Sequence, residues 1–179
     1  PFAQYVALTA WLPTYYHEKF GMTLSEAGFV VGLLPLAGLI ALACSAALSF
    51  RIKRRKPFLI IPGIFIGFAG FGSFLVGDNL VLPIVVVLLG VCSWVYIPFL
   101  FTIPIEMPGM SAQRLALVMA VIITVGSTGS IVSPWLVGFT TDLLGTYWVG
   151  FSILAMGSMS LLLAGRLLPE TGQNRKPSS

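Results

Sequence analysis

Arg51-Ile52-Lys53-Arg54-Arg55-Lys56 decides how the rest of this chain must lie. Five of these six residues are cationic in a sequence that is only 9% charged, and long apolar runs stand on both sides. A Lys or Arg at the centre of a membrane helix costs ~2.5–3.5 kcal/mol, so burying five would cost roughly 12–17 kcal/mol and the stretch must form a loop in water. Short loops rich in Lys and Arg stay on the cytoplasmic side, which orients every apolar segment before and after this one.

The composition around that loop excludes a soluble core. Of 179 residues 57% are hydrophobic, the mean hydropathy is +0.97, and runs of about twenty residues carry hardly a charge, the signature of a polytopic helical membrane protein. The net charge of +4 does not call for nucleic acid, because the cations concentrate in the basic loop and the C-terminal tail, where topology explains them. Cys44 and Cys92 both lie inside apolar runs and read as packing residues rather than a disulfide or a metal pair. The sequence opens within a hydrophobic run, with neither an initiator Met nor a signal-peptide pattern, so we expect a piece of something longer.

Six spans follow from the pattern: about 2–16, 27–50, 57–77, 80–103, 114–140 and 147–168, with a polar cytoplasmic tail over 169–179. Trp11, Tyr15 and Tyr16 mark the interface end of the first, and His17 to Leu24 reads as a loop. Ser25 with Glu26 reads as the next helix start. Gly63-x-x-x-Gly67 in the third span is the spacing that lets membrane helices approach closely. Pro83 and Pro98 interrupt the fourth, and Pro104 to Ser111 reads as a loop. Gly126, Gly129 and Gly138 are expected to pack the fifth against another helix. With the basic loop inside, Arg51, Lys53, Arg54, Arg55, Lys56, Arg114, Arg166, Arg175 and Lys176 face the cytoplasm against Lys19 outside, which places both termini in the cytoplasm and, for a bacterial-type cell, the chain in the inner (plasma) membrane.

Several stretches resemble the major facilitator superfamily of secondary transporters. Trp11-Leu12-Pro13-Thr14-Tyr15-Tyr16 with Gly21-Met22-Thr23-Leu24-Ser25-Glu26-Ala27-Gly28 is similar to its seventh span, outer loop and eighth span. Gly126-x-x-Gly129, Pro134-x-x-x-Gly138 and Asp142-x-x-Gly145-x-Tyr147 resemble its last two spans, and Pro169-Glu170-Thr171-Gly172 a common C-terminus. The basic loop matches the family's loop between the second and third spans of a half, without the Asp and Gly of the full pattern, which points to the C-terminal six helices. The spacing of the first two spans is also similar to the cyanate-permease-type branch. The resemblance implies an all-α half-bundle of six transmembrane helices that moves a small solute, with or without a coupling ion, in partnership with an N-terminal helical half and the lipid bilayer.

No nucleophile–base pair, metal-ligand cluster or phosphate loop is present, so neither an enzyme nor a cofactor or metal is expected. No Asp, Glu, Lys, Arg or His falls near the predicted midplane. The resemblance turns the first, fourth and fifth spans toward the central cavity, which makes Gln4, Tyr5, Thr9, Ser93, Tyr96, Thr124, Ser127 and Thr128 the candidates for the substrate path. It also sets Glu106 beside the basic loop, where it would pair with Arg54 or Arg55 in a water-exposed cytoplasmic gate. A self-sufficient six-helix scaffold or homodimeric carrier is the competing reading.

Overall fold

A computed structural model describes residues 1–49, 51–52, 54–78 and 80–168, and the regular structure among them is helical throughout. The predicted tail over 169–179 lies outside the described residues, as do Phe50, Lys53 and Asn79. The helices are α1 (Phe2–Phe20), α2 (Leu24–Ser49), α3 (Pro57–Leu75), α4 (Val81–Trp94), α5 (Ile97–Glu106), α6 (Ala112–Leu144), α7 (Trp148–Ser158) and α8 (Ser160–Leu167). The pairs α4–α5 and α7–α8 each make one interrupted rod. Among the described residues, five rods are long and apolar enough to cross a membrane: Leu24–Ser49, Pro57–Leu75, Val81–Glu106, Ala112–Leu144 and Trp148–Leu167. The first helix has 19 residues, but Gln4, three tyrosines and the His17-Glu18-Lys19 turn dilute its hydropathy below theirs.

A proline explains the α4–α5 interruption. Pro98, at the start of α5, has no N–H to give the Trp94 carbonyl four residues back, and the rod breaks at Val95–Tyr96 between them. In α6, Pro134 likewise leaves the Ser130 carbonyl without its helical donor, but the Ser133 hydroxyl donates to that oxygen at 3.3 Å and the helix continues. The Trp11 indole N–H donates to the Pro134 carbonyl at 2.8 Å, tying α1 to the same turn.

Element ends depart from the sequence expectations where local polar chemistry extends a helix. His17 to Phe20 belong to α1, because Gly21 takes the left-handed conformation (φ 67°) that closes the helix while His17 and Lys19 stand in its last turn, favoured by the negative end of the dipole. Thr23, not Ser25, starts α2. Its hydroxyl accepts from the Glu26 N–H at 3.2 Å while the Glu26 carboxylate accepts from the Thr23 N–H at 2.9 Å, a reciprocal capping box. The stretch after Pro104 is not yet loop, since α5 continues through it to Glu106. α6 starts at Ala112 under a Ser111 cap and runs to Leu144, roughly 50 Å at 1.5 Å per residue.

Two apolar clusters hold the rods together. The larger joins α1, α2, α3, α4 and α7 through Leu8, Leu12, Leu34, Ile66, Phe74, Leu82, Leu89 and Phe151. The smaller sits toward the Arg55 end around Leu59, Tyr96, Phe99, Ile103 and Leu161. Tyr15 and Tyr16 are interior ties rather than interface anchors: their buried hydroxyls donate to the Phe74 and Ser73 carbonyls at 2.8 and 2.7 Å, satisfying the last turn of α3. The α3–α8 crossing is as close as the Gly63-x-x-x-Gly67 spacing implies, for a Cβ on Gly63 would stand 2.6 Å from the Leu162 backbone nitrogen. The three α6 glycines behave unequally. Gly138 lies tight against Trp11 and Gly129 makes an ordinary contact with Ala3, whereas nothing approaches Gly126, so the expected packed surface holds only along part of the helix.

Candidate functional site

The candidates for the solute path fall into three environments. Tyr5 and Thr9, one helical turn apart on α1, are half-buried. The Tyr5 ring stacks on Phe2 at 5.9 Å and meets Trp94 edge-on at 5.5 Å, and the Thr9 hydroxyl donates to the Tyr5 carbonyl at 2.8 Å. Thr124, Ser127 and Thr128 are exposed on α6. Gln4 and Ser93 are withdrawn into the bundle. The Ser93 hydroxyl is fully buried and donates to the Leu89 carbonyl of its own helix at 2.7 Å. Gln4, 1% exposed, lies against Gly70 of α3 and Ala155 of α7.

Tyr96 and Ser127 meet at one cavity of about 740 Å³, bounded by the first turn of α1, the α4–α5 break, α6 and the start of α8. Tyr96 stands in the break itself, between Val95 and Ile97, with its backbone still in the right-handed helical region. The wall is otherwise mostly apolar, with Phe2, Leu100, Phe101 and Val121, and Ser160 adds a third hydroxyl. Tyr96 carries the only ionisable side chain among the lining residues. Such a wall can offer hydrogen bonds and ring contacts but no side-chain charge. Phe2, Trp94 and Ser160 escape a reading based on polar residues at predicted depth. The signal available for Trp94 is its position four residues before Pro98, where a break is expected.

At one end of the bundle the basic loop closes onto α5. The Arg55 guanidinium forks onto Glu106, Nη2 to Oε1 at 2.8 Å and Nε to Oε2 at 3.3 Å, and a further N–H donates to the Ser49 carbonyl at the end of α2. Its planar head also lies 5.7 Å from the centroid of Phe99, which stacks on Phe58 at 4.1 Å. The pair is not water-exposed as expected: the side chains are 7% and 16% accessible. Arg54 is exposed. One guanidinium thus joins three elements, the end of α2, the start of α3 and the end of α5.

The comparisons with known proteins agree with this architecture. The pattern of the Major Facilitator Superfamily matches residues 2–113, from the start of α1 to the start of α6. A Pseudomonas putida protein named for metabolite transport, NicT, is 26% identical over 141 residues, which are 78% of this chain and 32% of that protein. The chain therefore spans about a third of the length of that relative. An all-helical fold with five membrane-capable rods, matched over most of them by this family's pattern, makes the chain an integral, multi-pass membrane protein that belongs to the major facilitator superfamily of transporters.

Proposed function

We propose that the chain forms one six-helix bundle of a secondary transporter, the C-terminal half, and that it moves a small solute by rocking against a second bundle around a shared site near the midplane. The observation that carries this reading is the state of α6. It is the longest helix, yet Ser133 and Val137 are its only buried residues among those described. From Ala112 to Val132 nothing is buried, and the face opposite Ser133 presents Thr124, Ser127 and Thr128 among Leu117, Val121 and Ile131. Lipid accepts an apolar face but cannot satisfy hydroxyl groups. A second bundle supplies both the cover and the other wall of a polar path.

In this reading the first helix is the sixth span, tolerated despite its polar residues because its interior face is packed, and the nine-to-one bias of Lys and Arg sets both termini in the cytoplasm of a cell whose plasma membrane holds the protein. The Arg55–Glu106 junction then lies on the cytoplasmic side as a gate, linking the loop after α2 to the moving end of α5. A cysteine in place of Ser127, with Cys44 and Cys92 replaced by Ser, tests alternating access in the full-length protein. Membrane-impermeant maleimide should reach it from outside in right-side-out vesicles and from the cytoplasmic side in inverted ones. Labelling from one side alone would refute the two-state path.

A further inference from the structure

The close approach of α3 and α8 brings two cations together at the end of the bundle that carries the basic loop. The two helices run antiparallel along a seam whose register follows from three glycines. A Cβ on Gly67 would stand 3.0 Å from the Met159 side chain, one on Gly63 2.6 Å from the Leu162 backbone nitrogen, and one on Gly165 2.7 Å from the Ile60 side chain. Continued to the ends of the two helices, this register sets Lys56, the N-cap of α3, beside Arg166 in the last turn of α8. The Lys56 ammonium donates to the Arg166 carbonyl at 3.4 Å, so two basic residues 110 positions apart share one corner. Arg166 is exposed and Lys56 half-buried, while Arg51 and Arg54 add exposed charge in the adjoining loop.

No described acid neutralises that corner. Of the six acids, Glu18, Glu26, Asp78 and Asp142 belong to the opposite end of the bundle, Glu106 holds Arg55, and Glu170 lies outside the described residues. Positive-inside topology accounts for cations on this side of the membrane but not for two of them held on a single seam. The positive end of the α3 dipole adds to the same field. Along the two helices from this corner, Ile61 and Ile64 of α3 and Leu163 and Leu167 of α8 are exposed apolar side chains. A cationic corner beside exposed apolar flanks is a two-part surface, with a place for a phosphate and a place for hydrocarbon chains.

We propose that Lys56 and Arg166 hold the phosphate of an anionic phospholipid, whose acyl chains lie against these exposed residues, and that the bound headgroup ties the start of α3 to the end of α8. A phosphodiester carries one negative charge on two free oxygens and can accept from both cations at once. A choline headgroup brings its own cation to the same corner and opposes the pair. The site uses neither the solute path nor the Arg55–Glu106 junction, so it stands or falls separately from the transport reading. It rests on the packing of α3 against α8.

The test uses the full-length protein in detergent, with added phosphatidylglycerol, phosphatidylcholine or inorganic phosphate. Bound lipid is counted by native mass spectrometry, and the unfolding midpoint is followed in parallel. Phosphatidylglycerol should bind and raise the midpoint, while phosphatidylcholine and inorganic phosphate should do neither. Lys56→Gln combined with Arg166→Gln should lower the affinity for phosphatidylglycerol about tenfold and abolish the rise in midpoint. Arg54→Gln, in the same loop but off the seam, should change the affinity by less than about twofold. Equal losses in Arg54→Gln and in the pair would mean diffuse attraction of the whole loop to anionic lipid and overturn the site. A rise as large with inorganic phosphate would put a free anion at the corner and overturn the lipid assignment, and no response to phosphatidylglycerol would overturn both. If the double variant fails to fold, Arg166→Gln decides alone: its side chain is exposed, a roughly threefold loss is expected, and an unchanged affinity contradicts the proposal.

Discussion

Arg55 and Glu106, 51 residues apart in sequence, meet through two parallel contacts of 2.8 and 3.3 Å at the point where the loop after α2 touches the end of α5. Both groups are largely withdrawn from water, so the pair is governed by desolvation rather than by the weak energetics of a surface ion pair. Burial of Arg55 is supported by the Ser49 carbonyl and the Phe99 ring, which Lys could not engage in the same planar geometry.

Glu106→Gln removes the carboxylate charge from the fork on that guanidinium. Breaking a fully buried pair costs ~3–5 kcal/mol, and partial hydration of Glu106 should reduce this to about 2–3 kcal/mol. The unfolding midpoint of the full-length protein in detergent should fall accordingly, and Arg55→Lys should also lower it. Arg54→Ala, at an exposed position in the same loop, should change stability by less than about 0.5 kcal/mol. Equal effects at 54 and 55 would mean that the geometry of the fork is irrelevant.

Gly63→Leu should prevent α3 and α8 from meeting, since even a Cβ there stands 2.6 Å from the backbone of Leu162. Loss of folded protein in detergent is the expected result. Gly126→Ala, on α6 where an added Cβ would meet nothing within 4 Å, should instead be neutral or stabilising by up to about 1 kcal/mol through helix propensity. A measurable loss of fold in Gly126→Ala before any partner bundle is present would contradict the open environment of that position.

The contrast between those glycines shows what could be read from the sequence. Apolar length made an all-helical chain with several membrane-capable rods legible, because hydrocarbon thickness and the cost of burying charge act on composition alone. Spacing identified Gly63 as a contact, but it could not tell which face of α6 was covered, since Gly126, Gly129 and Gly138 share a composition and differ only in neighbours supplied by α1. Helix ends were misread where a side chain or a left-handed glycine extended the hydrogen bonding, as at Thr23 and Gly21. Among the path candidates, Tyr96 and Ser127 line one cavity while Gln4 and Ser93 turn inward, because which face of a helix is covered depends on neighbours that the sequence of one span does not contain.

Topology gives a third prediction. Cysteines introduced at Arg54 and at Asp78, at opposite ends of α3, should react with an impermeant maleimide from opposite sides of the membrane, with position 54 reached from the cytoplasm. Reaction of both from one side would remove α3 as a span and invert everything after it.

In a two-bundle transporter the bare face of α6 belongs against a second bundle and not against lipid. Spin labels placed one at a time at Thr124, Ser127 and Thr128 in the full-length protein, reconstituted in bilayers, measure this through their collision rate with dissolved oxygen, which concentrates in hydrocarbon. Phe68 on α3, 68% exposed, provides the lipid-facing reference. Collision rates at the three α6 positions should lie well below that at position 68. Rates equal to the reference at all three would place the face in lipid and contradict the two-bundle transporter.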